Sequence, residues 1–167
     1  MNSEKAVLGA DYSASAAYVA LVSGNSVLTT ATLHVDKDPR GFWLLLKQWL
    51  AAIDEEYGPD YHFYIEMPWV RNDHYPHAGV AMMRTATFIE IACYELGFTP
   101  ILVSPGTWRK AVYGNGHPKE DLKELARRTA EEKFNFPTKY KNQHNICEAI
   151  LIAHYGGLGD EREPPEG

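Results

Sequence analysis

A chain of 167 residues with 45% hydrophobic and 23% charged residues has the size of one domain and enough apolar content to bury a core. It holds no apolar run near the ~18–20 residues that span a bilayer, and Met1-Asn2-Ser3-Glu4-Lys5 lacks the basic and apolar regions of a secretory signal. Cys93 in EIACYEL and Cys147 in NICEAIL sit in apolar helical patterns, as buried thiols rather than a disulfide or zinc site. These features predict a soluble cytoplasmic protein with no membrane partner. A net charge of −6 speaks mildly against nucleic acid, but its distribution is uneven. Residues 1–100 carry 6 Lys/Arg against 12 Asp/Glu, whereas residues 101–142 carry 9 against 5. One face could therefore meet a polyanion. The plainer alternative is that Lys119, Lys123, Arg127 and Arg128 form the solvated side of a helix.

Along the chain, residues 6–11 (AVLGAD), 16–22 (AAYVALV) and 26–34 (SVLTTATLH) read as short strands. Ser13–Ser15 and Ser23-Gly24-Asn25 separate them, which predicts an antiparallel meander. Residues 41–57 have helical period and stop at Gly58-Pro59. A fourth strand, 61–66 (YHFYIE), is followed by a helix over 76–96 that ends at Gly97. A fifth strand at 99–103 leads to a helix with Ser104 as N-cap and Pro105 at its first position. Two more helices fit 117–134 and 142–156, so residues 1–156 form a single domain and 157–167 a mobile acidic tail. The order βββ-α-β-α-β-α-α-α predicts an α/β fold: one five-stranded mixed sheet, a meander plus parallel strands, with helices on both faces. That is the order of the RNase H-like superfamily, although actin-like kinases share the opening meander.

Three carboxylates stand in unexpected places. Asp11 closes an apolar strand and is followed by small residues, which leaves room for a ligand, though an Asp turning a loop would look the same. Glu66 ends an aromatic strand, where Glu is disfavoured and a buried carboxylate needs a basic partner or a metal ion. Glu148 interrupts the apolar helix HNICEAILIAHY, with His144 at i−4 and Asn145 at i−3 on the same surface. That trio is either a ligand set or a partly exposed polar stripe. Taken together, the carboxylates suit Mg²⁺: hard cations take oxygen ligands, and two-metal phosphodiester hydrolysis needs carboxylates from several elements. The predicted layout delivers Asp11 and Glu66 from adjacent strands and lays the last helix across them with Glu148.

Four segments of this chain resemble the RuvC-type Holliday junction resolvases, across residues 6–156. LGADYSASAAYVALV is similar to the family's opening strand with its Asp. YIEMPW is similar to the strand that ends in the second carboxylate, AVYGNGHPKEDL to a Gly-x-Gly loop before a Lys-bearing helix, and NICEAILIAHY to the closing helix. The resemblance implies Asp11, Glu66 and Glu148 as catalytic metal ligands. Asn145 stands where the family has its penultimate Asp, Glu148 where it has its last, and His144 is the other candidate for a fourth ligand. It further implies Mg²⁺, with Mn²⁺ as a substitute, a four-way DNA junction as partner, and a homodimer. Helix 76–96, apolar or small almost all round, is the expected seam, although a fully buried core helix would read the same way. Trp69 falls where the family presents an aromatic to bases, against the alternative of core packing. Lys119 matches the basic position near the scissile phosphate, so it joins the catalytic set, and Arg109, Lys110, Lys123 and Arg127 extend the DNA-binding surface. The altered last motif marks a divergent member, of a bacterial or phage-infected cell. Rival readings are another RNase H-like nuclease with a different structured substrate and a non-catalytic branched-DNA binding protein. An actin-like kinase is disfavoured because 167 residues are too few for two lobes.

Overall fold

Two turns start the fold. The backbone N–H of Ser13 donates to the carbonyl of Ala16 at 2.8 Å, and its hydroxyl oxygen accepts from the N–H groups of Ser15 and Ala16 at 3.2 and 3.1 Å. This reverses the chain from strand β1 (Ala6–Tyr12) into β2 (Ala16–Ser23). Gly24, at φ 55°, then takes the left-handed conformation of the second turn into β3 (Ser26–His34). The computed structural model describes residues 5–35, 39–68, 76–115, 121–139 and 143–159.

Helix α1 (Pro39–Tyr57) buries Phe42, Leu46, Leu50 and Ile53, a stripe at helical spacing, and ends before Gly58 at φ 81°. Strand β4 (Tyr61–Glu66), helix α2 (Pro76–Glu95) and strand β5 (Ile101–Val103) follow, then helices α3 (Pro105–Tyr113), α4 (Leu122–Phe134) and α5 (His144–Gly159). The sheet order is β3-β2-β1-β4-β5; β1 pairs antiparallel with β2 and parallel with β4, and β4 parallel with β5. The predicted mixed five-stranded sheet is thus present.

Each face of the sheet carries its own core. Leu8, Ala10 and Tyr12 of β1 and Phe63 and Ile65 of β4 join α1 and α2, while Val7, Ala20 and Val22 join α3, α4 and α5. Burial on both faces is why β1 and β2 read as continuous apolar runs instead of alternating ones. Alternation along β1 therefore turns Val7, Gly9 and Asp11 toward α5. Gly9 decides how close that helix comes. A Cβ there would run into the carbonyl of Ala149 and the backbone N of Ala153, so α5 rests directly on β1.

Several boundaries differ from the sequence expectation by a few residues. Helix α4 begins at Leu122, with the Asp121 side chain accepting from the N–H of Lys123, and residues 116–120 lie outside the described set. Strand β5 keeps only Ile101–Val103 of 99–103. Helix α5 continues through residues 157–159, which were expected in the tail; Gly156 is buried beneath the Tyr64 ring and Val7, and this anchors the last turn to the sheet. Residues 160–167 lie outside the described set. Both cysteines are free and buried, and burial raises each thiol to about 12. Among the described residues, no helix is long and apolar enough to cross a membrane.

Candidate active site

Three elements bring the carboxylates together. Asp11 and Glu66 lie near the C-terminal ends of the parallel neighbours β1 and β4, one residue beyond the Ala10–Ile65 pair. The end of β4 is pinned from both sides: the Tyr12 hydroxyl donates to the Glu66 carbonyl at 2.9 Å, and the Met67 N–H donates to the Val103 carbonyl at 2.7 Å. Glu148 comes from the second turn of α5, which crosses β1 at Gly9. Asp11 and Glu148 are only 7% and 9% exposed.

Burial with little compensation sets the electrostatics. Desolvation, then repulsion from Glu148 and Glu66, pushes the Asp11 carboxyl well above the usual carboxylate range. Glu148 is raised chiefly by desolvation, against the pull of Arg109 and a side-chain hydrogen bond with Asp11. Glu66 is also raised by desolvation, which the Trp108 hydrogen bond and Arg109 oppose.

Helix α3 supplies the opposing groups. Ser104 caps it, accepting from the Thr107 N–H at 3.2 Å, and Pro105 opens it, as the sequence predicts. One turn on, the Trp108 indole Nε1 donates to Glu66 Oε2 at 2.6 Å. Arg109 donates through Nη2 to Glu148 Oε1 at 3.1 Å and stands 3.8 Å from Glu66 Oε2. Its Nε is buried without a hydrogen-bond partner among the described residues. Beside this cluster, a cleft of about 470 Å³ is walled by Tyr12, Met67, Pro68, Met82 and Pro105.

The donor set fits a hard divalent cation by chemistry. It consists of oxygens alone, buried, and three carboxyl groups face one guanidinium. Among the described residues, no three His, Cys, Asp or Glu side chains are grouped as a ready-made metal site. Arg109 occupies the space between two of the carboxylates instead.

The other predicted residues divide. Lys123 is exposed at the start of α4 and near enough to lower Glu148, and Lys110 lies in an exposed hollow with Ser104, Gly106 and Thr107. Arg127 is paired with Glu124 at 2.6 Å along its own helix, its side chain half-buried and its Nε enclosed. His144 and Asn145 line a hollow with Tyr18, Thr32, His34 and Gln143, whose walls do not include the three carboxylates. Trp69 and Lys119 lie outside the described residues. Sequence reasoning passed over Trp108 and Tyr12. An aromatic directly before Arg109 was visible, but an indole edge meeting a carboxylate 42 residues away was not.

Neither protein-family profiles nor curated proteins match the sequence. Solved structures do. Thermus thermophilus RuvC in complex with a Holliday junction substrate aligns with a TM-score of 0.71 at 14% identity, covering 93% of this chain and 96% of that one. This chain has the RNase H-like fold of RuvC. A second Thermus thermophilus RuvC structure gives 0.70 at 13% identity over the same shares of the two chains. The yeast mitochondrial Holliday junction resolvase Ydc2 gives 0.60 at 15%, covering 96% and 82%. In RNase H-like terms, the carboxylates of this chain stand on the first strand of the meander, the following parallel strand and the last helix.

The raised carboxyls make a stability prediction. In the unfolded chain they ionise from about pH 4, whereas the folded protein still holds their protons there. Stability from this cluster is therefore complete at lower pH and falls as pH rises toward the folded values. In EDTA, Asp11→Asn is expected to lose less melting temperature than the parent between about pH 4 and neutrality. Parallel curves for the two proteins would show that Asp11 ionises freely.

Proposed function

We propose that this chain is a structure-selective endodeoxyribonuclease that resolves four-way DNA junctions by metal-dependent paired nicking, as part of DNA recombination and repair. The observation that carries the reading is the convergence of Asp11, Glu66 and Glu148 from β1, β4 and α5 in a fold shared with a junction-bound RuvC. Asp11, Glu66 and Glu148 would hold Mg²⁺, or Mn²⁺ in its place, and the metal supplies a nucleophile from water and charge for the leaving 3′ oxygen.

The chain's own residues do the rest. Trp108 and the strand ends hold the Glu66 carboxylate in place, and Asp11 and Glu148 meet across the β1–α5 contact. Arg109 lies at the edge of the cleft and can pass from its carboxylates to a phosphate oxygen as the backbone enters. Lys110 and Lys123, exposed nearby, hold flanking phosphates without reading sequence. The test is cleavage of a labelled four-way junction beside its linear duplex, in Mg²⁺, Mn²⁺ or EDTA. Paired nicks in the junction alone, and only with metal, support the reading. Junction binding without nicks in either metal would make the protein a branched-DNA binding protein instead.

Symmetric nicking needs two sites, and α2 offers the seam for a homodimer. Its inner side buries Thr85, Ala86, Ile89, Ala92 and Cys93, so it is not a helix buried all round. Its outer side carries Val80 (67% exposed), Met83, Thr87, Ile91 and Tyr94, a stripe about 80° wide at helical spacing. Exposed apolar stripes of this kind mark association surfaces, and a self-complementary one suits a two-fold pair. Val80→Asp combined with Ile91→Lys is expected to convert a dimer into a folded monomer that no longer nicks in pairs, read by sedimentation and by junction cleavage. A parent protein that sediments as a monomer would remove this seam.

A further inference from the structure

Among the described residues, Trp108 is the largest fully buried side chain, and it belongs to the core between the sheet and α5. A buried indole needs an acceptor for its N–H. Trp108 takes the carboxylate of Glu66, at 2.6 Å. The same indole ring lies against the Arg109 guanidinium, 5.1 Å from ring centroid to Cζ, and against the Tyr113 ring at 5.7 Å. Ring and guanidinium thus meet on one side of Glu66, and both act on the same oxygen, Oε2.

We propose that Trp108 is a positioning residue of the carboxylate cluster: its buried indole N–H fixes Glu66 through Oε2 and keeps the other carboxylate oxygen available for a divalent cation. The inference rests on the nuclease reading above for the cation, and on geometry alone for the brace. Glu66 has a flexible side chain at a strand end, and only its backbone is held by Tyr12 and by the β4–β5 pairing. An unbraced carboxylate would be free to close fully on Arg109. Trp108 is rigid because it is core, capped one turn upstream by Ser104. Outer partners that orient a metal-binding carboxylate typically change affinity about 10- to 100-fold when lost.

Two variants separate the brace from packing. Trp108→Phe removes the N–H and some volume; 3-benzothienylalanine at position 108 removes the N–H and keeps the shape, so a folded variant remains even if phenylalanine is not tolerated. In a ¹⁵N spectrum with four indole signals, the Trp108 proton is expected downfield of the others and shifted upfield by Glu66→Gln. Calorimetric titration with Mn²⁺ is expected to show about 10- to 100-fold weaker binding in the benzothienyl variant at an unchanged melting temperature. An indole signal indifferent to Glu66→Gln overturns the brace. Equal Mn²⁺ affinity in parent and isostere overturns its role toward the cation while leaving the nuclease reading intact. A parent protein that binds no Mn²⁺ overturns both that role and the nuclease reading, and the indole signal still decides whether the hydrogen bond exists.

Discussion

Asp11→Asn, Glu66→Gln and Glu148→Gln are each expected to slow junction cleavage in Mg²⁺ by about a thousandfold or more, corresponding to ~4 kcal/mol of lost transition-state stabilisation. The change is nearly isosteric, so the folded state should survive it. Stability should even rise, because each of these carboxyls is held above its ordinary range by burial, and an amide does not carry that cost. Loss of cutting together with a higher melting temperature in EDTA is the signature of a charged site maintained at the expense of the fold. Junction binding should persist, since Lys110 and Lys123 are untouched. Single-turnover cleavage with a parallel binding assay checks this. A variant that cuts at nearly the parent rate takes its residue out of the site, and three such variants would leave the nuclease reading without a centre.

Gly9→Ala should do comparable damage without touching a functional group. The added methyl would occupy the position where the α5 backbone crosses β1, against the Ala149 carbonyl and the Ala153 N. Backbone cannot rotate away as a side chain can, so α5 must move. Overpacking of this kind costs roughly 1–3 kcal/mol or more, and each kcal/mol lowers the melting temperature of a domain this size by ~2–4 °C. Activity should fall further than stability, because shifting α5 carries Glu148 away from Asp11. Gly157→Ala is the control. No atom lies within 4 Å of a Cβ there, and alanine in a helix is favoured over glycine by roughly 0.5–1 kcal/mol. That variant should be as active as the parent and at least as stable. If Gly9→Ala melts and cuts like the parent, the close β1–α5 contact does not set the site.

Much of this protein was determined by local sequence. Periodicity set the meander, the stripe Phe42-Leu46-Leu50-Ile53 and the Ser104-Pro105 helix start, because solvation and capping are decided within a few residues. The three carboxylates were legible for the same reason, each a charge in an apolar context that only a ligand or counter-ion explains. Partnership was another matter. Trp108 meets Glu66 across 42 residues and Arg109 meets Glu148 across 39. His144 and Asn145, sequence neighbours of Glu148, line a hollow whose walls do not include it. Which side chains converge depends on how α5 is seated on β1 and how α3 is placed after β5. Those placements follow from a missing Cβ at Gly9, from strand register and from volumes filled on both faces of the sheet. All three arise between distant segments, so only the tertiary structure decided them.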